Sequence, residues 1–85
     1  MKRVQKFVVI AFRLIKGRLL IAEMREARGG EASAIRLAEM MSQNWAGAAA
    51  FEVHVEEESG DMHAPRLLAA FGSVPDLDEA MEAAA

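Results

Sequence analysis

The chain has 85 residues with 10 Lys and Arg against 13 Asp and Glu, is 53% hydrophobic, and contains no cysteine. A domain this short removes only about 60% of its unfolded surface on folding; the missing thiols exclude disulfides, thiolate metal sites and cysteine chemistry, and the apolar content excludes a disordered chain. The net charge of −3 hides a segregation: eight basic and two acidic residues up to Gly30 give +6, whereas two basic and eleven acidic residues after it give −9. Such asymmetry bears on recognition of a charged partner rather than on the fold.

Taken in order, Lys6 to Lys16 is apolar except for Arg13, and Val8, Ile10, Phe12 and Leu14 form one apolar face, the pattern of a central strand. Lys16-Gly17 supplies a turn and Arg18 to Ala27 returns, so residues 6–27 form a β-hairpin. Its register stays open, because a two-residue loop sets Phe12 opposite Ile21 and a three-residue loop sets it opposite Ala22. Arg28-Gly29-Gly30 ends the hairpin, and a helix is predicted from Glu31 to Trp45 with a buried stripe of Ala34, Leu37, Ala38, Met41 and Trp45. Ile35 and Met40 fall outside that stripe.

Ala48 to Glu57 alternates Phe51, Val53 and Val55 with Glu52, His54 and Glu56, which predicts a half-buried strand. Residues 58–61 form a turn, and Met62 to Phe71 returns; Pro65 either puts this strand at an edge or delays its pairing. Asp76 caps a short acidic helix that frays toward the last alanines. The fold class is α+β: one domain, 1–85, ordered ββαββ, with a four-stranded mostly antiparallel sheet, one amphipathic helix on the even face of the first strand, and residues 76–85 as a helical or frayed acidic tail. The odd positions then form an open apolar face, so Phe7, Val9, Ala11, Arg13 and Ile15 are read as a homodimer interface.

Catalytic chemistry has little to work with, since Cys, Tyr and Thr are absent and the four serines occupy helix or turn positions. His54 and His63 flank the 57–61 turn with Glu56 nearby, but their spacing matches no metal motif, and they are read as solvent-facing residues of a twisted hairpin. No catalytic, cofactor or metal residue is assigned, and the protein is read as a non-enzyme. Arg13 is expected on the outer face, paired with Glu23 or another acid. The longest apolar run, Phe7 to Phe12, is far below the about 20 residues of a membrane span, and no signal peptide follows from it. The chain therefore reads as cytoplasmic, with no membrane partner.

Three stretches carry a resemblance: Phe7 to Phe12 through Glu26-Ala27-Arg28, Ala46 to Phe51, and Phe71-Gly72-Ser73-Val74-Pro75-Asp76. With them the chain looks like small proteins of bacterial and prophage genomes, and in size, acidity and poverty of catalytic groups it is similar to phage anti-CRISPR proteins. That resemblance implies an inhibitor that binds a CRISPR effector, such as a Cascade-type subunit, in the host cytoplasm; it carries over no site residue. The residues themselves point to a protein partner with a basic groove, met by an acidic surface of Glu52, Glu56, Glu57, Glu58, Asp61, Asp76, Asp78 and Glu79. Two alternatives stand beside it. One is a dimeric nucleic-acid-binding regulator using the basic hairpin through Lys2, Arg3, Lys6, Lys16 and Arg18, although the pI near 5.3 and the lack of interleaved aromatics weigh against it. The other is a phage structural or assembly protein whose charged halves pair between copies.

Overall fold

The apolar and β-branched opening segment forms a long strand, β1 (Arg3–Ile15), in the computed structural model, which describes residues 3–76. β2 (Arg18–Ala27) returns beside it through Lys16 and Gly17, whose φ values of 50° and 80° give the left-handed pair that suits the twist of a two-residue hairpin. The register is that of the two-residue loop, with Phe12 opposite Ile21. A bulge follows between Ala11 and Phe12, leaving Ala22 as the extra residue. It turns Ile21 and Leu19 toward the face of Phe12, while Glu23, Arg25 and Ala27 stay opposite Ala11, Val9 and Phe7.

Gly30, at φ 87°, leads into α1 (Glu31–Ser42). The helix stops short of the expected Trp45, with the amides of Gln43 and Asn44 bonding back to Met40 and Met41 in a tightened last turn. Trp45 is consequently not a core residue and is 38% exposed, whereas Ile35, expected off the stripe, packs against the core. β3 (Gly47–Glu56) and β4 (Met62–Gly72) complete an antiparallel sheet ordered β2-β1-β3-β4. The fold is α+β. Pro65 is accommodated on the edge strand, where Ala64, at φ 50°, and Pro65 bulge out opposite Val53.

Two apolar layers sandwich the central strands. On one side α1 sets Ala34, Ala38 and Met41 against Val9, Ala11, Ala48 and Ala50, with Phe7, Leu68 and Phe71 at the margins. On the other, Val8, Ile10, Phe12, Ala49, Phe51 and Val53 form a second cluster flanked by Leu19, Ile21, Val55, Met62 and Val74.

This arrangement reverses the expected facing. The helix covers the odd face of β1, because its small contact residues need small partners, and Ala11, Ala48 and Ala50 admit a backbone where Phe12 and Phe51 do not. Val9 and Ala11 are therefore buried inside the chain and Phe7 is half-buried against the same cluster, so these odd positions do not stand open as the expected dimer interface required. Arg13 and Ile15 lie beyond the last β1–β3 pair, Phe12 with Gly47, on an exposed overhang. The buried members of both clusters on β1 are at most 7% exposed within the single chain, and the large hydrophobics left exposed include Leu14, Ile15 and Leu20 of the overhang. Of the helical tail expected at 76–85, Asp76 is described and is not in a helix, and residues 77–85 lie outside the described residues. No helix among the described residues is long and apolar enough to cross a membrane.

A candidate binding site at the acidic turn

Charges along the middle of the sheet neutralise one another. Arg66 lies opposite Glu52 and reaches its Oε2 at 3.0 Å and Glu31 of α1 at 3.3 Å. The Arg66 hydrogen bond holds the Glu52 carboxyl below the usual carboxylate range against the opposing effect of desolvation, with lesser help from Gln5 and His54. Arg25 pairs with Glu23 at 2.7 Å and Lys6 with Glu26 at 3.5 Å. Glu23 is thus taken by Arg25, and the expected Arg13–Glu23 pair is not formed; Arg13 is exposed opposite Leu20.

Among the described residues that form no ion pair, Arg28, Arg36, Glu39 and Asp76 lie elsewhere, and two groups stand at the ends of the sheet. β1 runs from Arg3, opposite Glu56, to Ile15, and 13 residues at about 3.3 Å each match the molecule's longest extent of 41 Å. At one end the β3–β4 turn holds Glu57, Glu58 and Asp61, all exposed and in no ion pair among the described residues. At the other, Arg13, Lys16 and Arg18 are exposed and likewise in no ion pair among the described residues, beside Leu14 and Leu20, 57% and 41% exposed.

The acidic turn is a built structure. The Glu56 amide donates to the Asp61 carbonyl at 3.0 Å, and the Gly60 amide donates to the Glu56 carbonyl at 2.8 Å, with Gly60 at φ 77°. Ser59 bridges the inside: its hydroxyl donates to Glu56 Oε2 at 3.2 Å and accepts the Asp61 amide at 3.2 Å. Glu56 also meets Arg3 at 3.6 Å and His63 at 3.1 Å, and its side chain is only 14% exposed. Beside the turn lies an open hollow of about 460 Å³ lined by Val4, Lys6, Val55, Glu56, Glu57 and Gly60.

The eight acids expected on one surface are therefore divided. Glu57, Glu58 and Asp61 share the turn; Glu52 and Glu56 are engaged internally; Asp76 follows β4 at the end remote from the turn; Asp78 and Glu79 lie outside the described residues. Sequence reasoning assigned Arg3 to the basic hairpin and gave Arg66 and Ser59 no role, although these side chains decide which acids stay available. The register would have found Arg66 and Arg3, each directly opposite the carboxylate it pairs with. His54 and His63 are cross-strand partners, and both are half-buried rather than the solvent-facing residues expected. No family model, curated protein or solved structure matches the chain.

Proposed function

We propose that this protein is a non-enzymatic binding module that presents the turn acids Glu57, Glu58 and Asp61 to a cationic groove on a protein partner. One observation carries the reading: pairing occupies Glu52, Glu56 and Glu26, and three exposed carboxylates in no ion pair among the described residues, Glu57, Glu58 and Asp61, share one end of a molecule 41 Å long. A narrow, rigid, acidic tip suits a groove built for phosphates, where rim charges govern approach and register. The similarity in general character to phage anti-CRISPR proteins gives the partner a class to test: the nucleic-acid path of a CRISPR effector complex in the host cytoplasm.

The test is capture of partners from a nuclease-treated lysate at two salt concentrations, followed by binding of the Glu57→Lys/Glu58→Lys variant. These residues are chosen because reversing Glu56 would also break its contacts with Arg3 and His63. Loss of a nuclease-resistant, salt-sensitive partner on double reversal supports the reading, and undiminished binding overturns it. Recovery of the protein alone, growing in size with concentration and dispersing in salt, would instead indicate head-to-tail assembly through the opposite ends.

A second reading rests on the basic overhang. A two-stranded ribbon fits a DNA major groove, and Arg13, Lys16 and Arg18 stand on such a ribbon. Duplex binding lost in an Arg13→Ala/Lys16→Ala/Arg18→Ala variant, with a salt slope reduced in step, would favour it.

A further inference from the structure

The acidic turn contains an arrangement that partner binding does not explain. Glu56, Asp61 and His63 each offer one ligand atom, and these atoms lie within 4.8 Å of one another. His63 Nε2 is buried and forms no hydrogen bond, although Glu56 Oε1 is 3.1 Å away. The two atoms stand side by side without the alignment that an N–H···O bond requires. Neighbouring ligands of a single ion have this relation: with metal–ligand distances of about 2.0–2.2 Å, adjacent N and O ligands sit about 3–3.5 Å apart.

The surrounding contacts support the same geometry. Ser59 holds Glu56 Oε2 at 3.2 Å, leaving Oε1 turned to His63. The Asp61 backbone is fixed from both sides, its amide by Ser59 and its carbonyl by the Glu56 amide, which holds its carboxylate beside Glu56 and His63. Orienting hydrogen bonds of this kind tune a metal ligand. Two carboxylates and a neutral imidazole also balance the charge of a divalent ion, and imidazole favours zinc and its first-row neighbours over the all-oxygen preference of magnesium or calcium.

We infer that Glu56, Asp61 and His63 form a binding site for one divalent first-row transition-metal ion, zinc being the test ion, which clamps the β3–β4 turn. Arg3 is its competitor, with a guanidinium 3.6 Å from Glu56 Oε1 on a side chain 55% exposed, so the arm swings away when the cation enters. His54 faces His63 across the strands but is not among the three ligands.

The experiment is calorimetric titration of the untagged full chain, stripped with chelator, using zinc chloride, with the thermal midpoint recorded at each ratio. One ion per chain is expected, with a rise in midpoint. His63→Ala, His63→Gln and Asp61→Asn should each weaken binding at least about tenfold, the scale of loss seen even for outer-shell partners. Arg3→Ala should tighten it, and His54→Ala should leave it unchanged. Far-UV circular dichroism confirms that each variant is folded. Absence of zinc binding, zinc binding equal in the His63 variants and the wild type, or an equal response to magnesium overturns the assignment. Glu57→Lys/Glu58→Lys touches no ligand, so the partner-binding reading and this one fail separately.

Discussion

Gly47→Ala is expected to be among the most disruptive single-methyl additions to this chain. Gly47 is buried at the start of β3, opposite Gly72. A Cβ there would overlap the Ser73 carbonyl oxygen and stand 2.6 Å from Ser73 N and 2.7 Å from Ser73 C, all backbone atoms with no rotamer to escape into. Relief demands a relative shift of about 1 Å, which breaks the 3.0 Å bond from the Ser73 amide to the Ala46 carbonyl and disturbs Val74, packed on the second cluster. Overpacking of this kind costs about 1–3 kcal/mol, and the lost hydrogen bond about 1 kcal/mol. The sum, about 2–4 kcal/mol, is a large part of the roughly 4–13 kcal/mol expected of an 85-residue domain, and it lowers the thermal midpoint by about 10–25 °C. Gly17→Ala is the control: its φ is 80° but nothing lies within 4 Å of the new methyl, so only the left-handed penalty of about 1–2 kcal/mol applies. Urea and thermal melts followed by circular dichroism measure both. A Gly47→Ala protein that melts within about 2 °C of wild type, or one more stable than Gly17→Ala, refutes the reasoning.

Phe51→Ala, at 1% exposure in the second cluster, should cost about 3–5 kcal/mol in urea unfolding. Trp45→Ala should cost much less, and the native emission of this single tryptophan should be red-shifted and accessible to acrylamide. The Arg66 hydrogen bond lowers the pKa of Glu52 in the folded state, so the unfolded chain binds that proton more tightly. The stabilisation is therefore complete above the ordinary carboxylate range and disappears as pH falls through the folded value. Arg66→Gln should be less stable than wild type at pH 7, with the gap closing toward pH 3 in parallel urea titrations. Neutralising Arg13, Lys16 and Arg18 together should leave the thermal midpoint nearly unchanged, since no ion pair among the described residues is lost.

The strands were legible because period-two alternation is a property of each segment alone: Phe51, Val53 and Val55 announced their face, and the second cluster holds all three. Which face of β1 met the helix was not legible, since Phe7, Val9 and Ala11 are as apolar as Val8, Ile10 and Phe12. The choice was made by size, through Ala34 and Ala38 seeking Ala11, Ala48 and Ala50 across three elements. The same limit applied to the acidic site. Composition gave the carboxylates, but their availability depended on Arg3 and Arg66, which reach Glu56 and Glu52 only once the strands are in register. Trp45 misled because helical periodicity carries no stop signal of its own, and the Gln43 and Asn44 amides had already turned back onto the last turn.

The strand order β2-β1-β3-β4 also has a kinetic meaning. Each outer strand is joined to its neighbour by a local hairpin, whereas the central β1–β3 seam brings Phe12 to Gly47 and Arg3 to Glu56 across the whole of α1. Hairpins close in about microseconds, while long-range pairing must first meet its loop-closure entropy. The topology therefore makes the two hairpins local in sequence and the β1–β3 seam the long-range closure, with α1 as the tether between them. Until they meet, β1 and β3 are unsatisfied edges with complementary apolar faces. A ribbon from a neighbouring chain offers the same edge, so production at high concentration sets intermolecular pairing against intramolecular closure.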